Sequence, residues 1–214
     1  MKKIILASQS PRRRELLAAM GVMFEVMPSN FDEKLDDSRS PEDVAIELAV
    51  GKASEVAAKN PDAIVIGSDT IVTINGRQLE KPRDTADAYD MLKVLSGTHN
   101  EVTTSLAVIC KADGVLLTTA DTTKVYFKPY DAEAVKTYVE SGDTVDKAAA
   151  YGIQSGAAPL IEYIDGYYDT VIGLPTHLLA KFLAQLGVEA KPVELDCPVP
   201  NIFSQASGMF NEPN

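Results

Sequence analysis

At 214 residues the chain is long enough to bury a sizeable core without disulfide staples. Its two cysteines, Cys110 and Cys197, lie far apart without metal-ligand spacing, which points to a reducing, cytoplasmic compartment and away from zinc. With 31 acidic against 20 basic residues the formal net charge is −11, which argues against a nucleic-acid binder held by phosphate contacts; a small anionic ligand would need local basic groups or a bridging metal against that field.

The apolar run after Met1-Lys2-Lys3 is too short for a signal peptide, and no stretch approaches the roughly 20 apolar residues of a membrane span. Residues 3–7 are β-like and lead into Ser8-Gln9-Ser10-Pro11, where Ser10 caps and Pro11 opens a helix reaching Gly21. A second strand is expected over 23–27, then a polar loop with Asp32 and Glu33, then a long amphipathic helix opened by Ser40-Pro41-Glu42-Asp43 and ending near Ala58. A short apolar strand over 63–67 precedes Asp69, and 71–74 with 77–79 form a hairpin about Asn75-Gly76. After Glu80-Lys81-Pro82-Arg83 the pattern predicts a helix over 85–95 and two long strands, 101–111 and 115–127, turning at Asp113-Gly114. A helix over 131–139, a loop through Asp146-Lys147, a hairpin around Asp165-Gly166 and a helix over 175–187 complete the ordered part. The fold class is therefore α/β, a mixed twisted sheet with flanking helices. Residues 1–190 are expected to form a single domain, and 191–214, rich in Pro, Asn, Ser and Gly, a loosely ordered tail.

Four segments could carry chemistry. Ser8 with Arg12, Arg13 and Arg14 stands at a strand-to-helix junction, where free N–H groups and the positive dipole end suit a phosphate and arginines add bidentate donors; the plainer alternative is a basic first turn on a surface helix. Asp69 follows an apolar strand, a place where α/β sheets present ligand groups, beside Gly67, which permits close backbone approach; a turn or capping aspartate is the alternative. Together with Glu33 it could hold a hard divalent ion or take a proton from water. Glu80-Lys81-Pro82-Arg83-Asp84 and Lys52 read locally as solvated charges. In the run Asp146 to Gln154, small residues permit close packing and Gln154 offers an amide for a base edge. His99 and His177 have no Ser or Cys partner by pattern, and neither a Gly-x-Ser-x-Gly elbow nor a Gly-x-Gly-x-x-Gly fingerprint is present.

In order, Leu6-Ala7-Ser8-Gln9-Ser10-Pro11-Arg12-Arg13, Asp32-Glu33, Leu48-Ala49 with Lys52-Ala53, Gly67-Ser68-Asp69-Thr70, Glu80-Lys81-Pro82, Leu95-Ser96-Gly97, Asp146-Lys147-Ala148 with Tyr151-Gly152-Ile153-Gln154, and Val171-Ile172-Gly173-Leu174-Pro175 resemble the Maf family of nucleotide pyrophosphatases. The resemblance implies two lobes around a cleft, a fold similar to that of inosine triphosphate pyrophosphatases, and cleavage of a nucleoside triphosphate to monophosphate and pyrophosphate with Mg²⁺ or Mn²⁺. It implies Asp69 as proton acceptor, Ser8, Arg12, Arg13, Lys52 and Lys81 on the phosphate side, and Glu33, with Asp69, at the metal or its water. The branch acting on deoxythymidine and uridine triphosphates is matched at three specificity positions, Arg12, Thr70 and Gln154; the branch acting on 7-methylguanosine triphosphate typically carries tryptophan, glutamine and glutamate there. A homodimer is a family-level expectation. The alternatives are the same chemistry on another base, or a nucleotide-binding regulator of septum formation with little turnover.

Overall fold

The computed structural model describes residues 2–33, 38–144 and 147–203. In chain order the elements are β1 (Ile4–Leu6), α1 (Pro11–Ala19), β2 (Glu25–Val26), α2 (Pro41–Lys59), β3 (Ile64–Ile74), β4 (Arg77–Gln78), α3 (Thr85–Leu95), β5 (His99–Cys110), β6 (Val115–Phe127), α4 (Ala132–Glu140), β7 (Ile161–Asp165), α5 (Tyr168–Ile172) and α6 (Thr176–Gln185). Strands follow the order β2-β1-β3-β5-β6-β7, with β4 on β3. β1 pairs in parallel with β2 and β3, whereas β3–β4 and β6–β7 are antiparallel, so the sheet is mixed, as its connections predict. Among the described residues no helix is long and apolar enough to cross a membrane.

The chain divides into two compact units, and three of the divisions fall inside strands: β3 after Thr70, β5 after Val102 and β6 after Asp121. The first unit comprises residues 1–70, 103–121 and 169–195. Its core gathers Ile5, Ala49, Ala53, Val56, Val65, Ala107 and Ile109. Gly67 on β3 explains why α2 can lie so close: a Cβ there would run into the Ala49 carbonyl oxygen and come within 2.9 Å of the Ala53 methyl. The close approach expected at Gly67 is thus made by a helix backbone.

The second unit comprises residues 71–102, 122–168 and 196–214. Asn75 and Gly76, with φ of 51° and 77°, form the hairpin turn into β4, the backbone that an Asn-Gly pair favours. Phe127 and Tyr151 pack edge to face with centroids 5.1 Å apart, beside a Tyr151–Asn100 hydrogen bond of 3.1 Å.

Two expectations fail. Residues 63–67 and 71–74 are one strand, β3, and Asp69 lies inside it rather than past its end. The polar break at Ser68-Asp69-Thr70 suggested a loop, but each of these side chains has a polar partner that lets the strand continue. Nor is there a hairpin at Asp165-Gly166: β7 pairs with β6, and Gly166 leads into α5. The strand expected over 23–27 is only two residues long. In the segment from 191 onward, Lys191 N–H reaches Met20 O at 3.3 Å and Val193 N–H reaches Thr176 Oγ1 at 3.0 Å in the first unit. In the second, Ile164 N–H reaches Pro200 O at 2.9 Å. Residues 204–214, like Asp146, lie outside the described residues.

Candidate active site

The first unit brings six of the expected site residues together. Lys52 is buried because its position on α2 repeats that of Ala45, Leu48, Ala49 and Val56 along the apolar stripe, so the local reading of a surface lysine is wrong for this residue. Its ammonium lies 2.5 Å from Asp69 Oδ1 and 2.7 Å from Glu33 Oε1. Asp69 is itself only 6% exposed, and among the described residues Lys52 is the only hydrogen-bond donor to its carboxylate. Burial raises its pKa above the ordinary carboxylate value, against the pull of Lys52 and Arg13.

Glu33 is delivered by a loop pinned to α2. Glu55 Oε2 accepts from Ser29 Oγ at 2.5 Å and from Asn30 N–H at 2.8 Å, and Phe31 lies over Gly51, where any Cβ would strike its ring. Two residues past Phe31, the loop places Glu33 against Lys52.

The opposite wall is the start of α1. Ser10 caps the helix and Pro11 occupies its first turn, which turns Arg13 back toward β3. Arg13 donates from Nε to Gly173 O at 2.9 Å, from Nη1 to Ser8 Oγ at 3.3 Å and from Nη2 to Thr70 Oγ1 at 3.0 Å. Burial lowers its pKa below the ordinary guanidinium value, offset by attraction to Asp69 and Glu33. Ser8 Oγ also accepts from Ser10 N–H at 3.2 Å, so both bonds use its lone pairs and its proton is left to donate. Arg12 is half-buried, its guanidinium makes no hydrogen bond or ion pair among the described residues, and its charge acts against that of Arg13. The basic first turn is therefore more than a solvated helix face.

Three contributors escape a residue-by-residue reading. The Gly173 carbonyl accepts from both Arg13 and Ser68 Oγ, the latter at 3.0 Å. It is aimed by Asp169, whose carbonyl oxygen accepts from Gly173 N–H at 2.9 Å and whose carboxylate accepts from Thr176 N–H at 2.7 Å. Gly173 has φ of 118°, open to glycine and costly for other residues. Thr104, fully buried on β5, meets Thr70 Oγ1 at 3.0 Å. The available signal was the hydroxyl run Thr103-Thr104-Ser105 just before the apolar stretch Leu106-Ala107-Val108-Ile109 of the same strand.

Lys81 and Gln154 belong to the second unit, and both are exposed. There Ala149 N–H bonds Glu80 O at 3.0 Å, tying the turn that carries Lys81 to the segment preceding Gln154.

A buried carboxylate beside a lysine, an arginine and a serine at a helix N-terminus is an arrangement for an anionic substrate and a proton transfer. The comparisons with known proteins agree. The model of the Maf-like protein family matches residues 3–186. The chain belongs to the Maf-like family. A Bacillus cereus relative named dTTP/UTP pyrophosphatase is 44% identical over 189 residues, covering 88% of this chain and 92% of its own. A Geotalea uraniireducens relative of the same name is 45% identical over 184 residues, covering 86% of this chain and 95% of its own. Among solved structures, the Staphylococcus aureus Ham1 protein matches 86% of this chain and 100% of its own, with 15% identity and a TM-score of 0.47; at that level nothing further about this chain follows from it.

Proposed function

We propose that this Maf-like chain hydrolyses dTTP and UTP to the monophosphate and pyrophosphate, with Asp69 as proton acceptor. The observation that carries the reading is the desolvated Asp69 carboxylate, held by Lys52 beside Arg13 and Ser8; the names of the relatives at 44% and 45% identity support the substrate class. A carboxylate raised in pKa by burial is a stronger base than an exposed one. In this reading Asp69 takes a proton from water as the water oxygen bonds to the α-phosphorus. The bond from that phosphorus to the bridging oxygen breaks, and pyrophosphate leaves with the electron pair. Ser8, Arg12, Arg13 and Lys52 would face the triphosphate oxygens and stabilise the charge that develops. The roles of Lys81 on the triphosphate and of Gln154 in choosing a pyrimidine rest on the family resemblance, which offers Thr70 as a further specificity position; that assignment of Thr70 is the one its contacts with Arg13 and Thr104 dispute.

The donor set fits a hard divalent cation. Glu33 and Asp69 supply carboxylate oxygens that converge on a single ammonium, and Mg²⁺ is commonly held by one or two carboxylates plus water and substrate phosphates. Glu33 and Asp69 would hold Mg²⁺ or Mn²⁺, which supplies charge neutralisation for the triphosphate. Cytoplasmic residence belongs to the same reading and is supported by the free thiols of Cys110 and Cys197.

Product analysis with a panel of nucleoside triphosphates and Mg²⁺ or Mn²⁺ tests the proposal. Expected products are pyrophosphate and monophosphate, with dTTP and UTP preferred. Asp69→Asn should lower turnover by about a thousandfold while keeping the wild-type circular dichroism spectrum. Orthophosphate with a diphosphate would refute the cleavage position, a purine preference the base assignment, and binding without turnover the catalytic reading itself.

A further inference from the structure

The hydroxyls behind Arg13 form a chain whose proton order is fixed. A guanidinium only donates, so Thr70 Oγ1 accepts from Arg13 Nη2 at 3.0 Å. At the far end a backbone carbonyl only accepts, so the Thr104 proton is committed to Thr170 O at 2.7 Å. Each hydroxyl has one proton, and the 3.0 Å bond joining Thr70 to Thr104 must therefore be donated by Thr70. The sequence is Arg13 to Thr70 to Thr104 to the Thr170 carbonyl, every donor pointing the same way. Thr104 is fully buried, where an unmatched hydroxyl would be costly, so the order has no competitor from water at that end.

We propose that Thr104 is a positioning residue for Arg13. By accepting the Thr70 proton it turns a Thr70 lone pair onto Nη2, and Thr70 acts on the substrate through Arg13 rather than by donating to the base. Nε is held at the same time by Gly173 O and Nη1 by Ser8. Each nitrogen of the guanidinium is thus gripped from the protein side, and its remaining N–H groups are left for an anion. The absence of a side chain at Gly173 leaves this arrangement undisturbed: a Cβ there would lie 3.2 Å from Thr70 Oγ1, tighter than ordinary contact. The proposal rests on the hydrolysis proposed above, with Arg13 on the triphosphate.

Steady-state pyrophosphate release from dTTP, UTP and GTP, together with affinity for inorganic tripolyphosphate, tests it on the full chain. Thr104→Val and Thr70→Val should each lower kcat/KM about tenfold, by the same factor for all three nucleotides. Each should also weaken tripolyphosphate binding, which has no base to recognise. Combined with Arg13→Lys, either should lose less than the product of the single effects, and Thr104→Ser should restore most of the wild-type rate and affinity. A dTTP-to-GTP ratio that changes in Thr70→Val but not in Thr104→Val would overturn the proposal. So would multiplicative effects with Arg13→Lys, or a Thr104→Ser variant as slow as Thr104→Val. If Thr104→Val does not fold, Thr70→Val decides by the nucleotide ratio and the tripolyphosphate affinity. Wild-type protein that releases no pyrophosphate would sink the proposed hydrolysis instead, and the tripolyphosphate measurements would still decide the role of Thr104: affinity unchanged by valine at both positions rejects it.

Discussion

Two aspartates, each paired with a lysine, sit in opposite electrostatic states. Asp69 in the first unit has one donor, Lys52, and burial pushes its pKa up. Asp143 in the second unit is also penalised by burial, yet its pKa falls to about 2 because Ser155, Lys147 and Tyr138 donate to it. Tyr138 OH lies at 2.7 Å, Lys147 Nζ at 2.9 Å and Gly156 N–H at 3.3 Å, with the Ser155 hydroxyl a further donor. Gly152 and Gly156 leave space for this cluster: a Cβ at Gly152 would come within 2.6 Å of the ends of the Lys147 and Ser155 side chains, and one at Gly156 within 2.8 Å of the Tyr138 ring. A carboxylate whose lone pairs are filled by the protein is a structural knot. One left short of donors in a dry place is available for chemistry.

The sharpest break in that comparison is Lys52→Met, which strips Asp69 of its donor and Glu33 of its partner. Turnover should fall by about a hundredfold or more, read by pyrophosphate release, and wild-type rates in this variant would remove Lys52 from the site. Gly67→Ala comes next. The added methyl has to displace the α2 backbone, so urea unfolding should show a loss of about 3 kcal/mol; a variant as stable as wild type would mean that α2 does not depend on this contact.

Asp143→Asn tests the other side. The folded pKa lies below the ordinary value of 3.8, so the carboxylate stabilises the fold above that value and the contribution is lost as pH falls toward about 2. At pH 7 the variant should be about 2 kcal/mol less stable, and its unfolding curve should converge on that of wild type as pH falls from about 4 to about 2. A gap that persists at the acid end would assign the loss to packing. The smallest effect is expected at Ala150, which holds φ of 61° next to Ala149 at 58°. Ala150→Gly should relieve left-handed strain and gain up to about 1 kcal/mol.

The helices were legible because caps and periodicity are local. Ser10 caps α1, and Pro11 and Pro41 open α1 and α2, where the sequence places them. β3 was misread because a strand's tolerance for Ser68, Asp69 and Thr70 depends on partners 17 to 105 residues away. The buried position of Lys52 was written in the helical repeat around it, but a charge on an apolar stripe carries meaning only once its counter-ions are known. Thr104 and Gly173 act through a hydroxyl and a carbonyl, and neither type of group announces a role by composition. The Ala148-Ala149-Ala150 run reads as a plain helix former, yet two of its residues adopt left-handed backbone, a choice made by tertiary context against intrinsic preference.

The Gly173 carbonyl also bears on the order of events during synthesis. It is the acceptor for Arg13, 160 residues earlier in the chain. The strands that flank β1 are made by residue 74, but the guanidinium has no clamp until the segment around Gly173 has been made and has closed a loop of that length. A nascent chain therefore carries its phosphate-facing residues without the geometry to use them until the segment around Gly173 has been made and has docked.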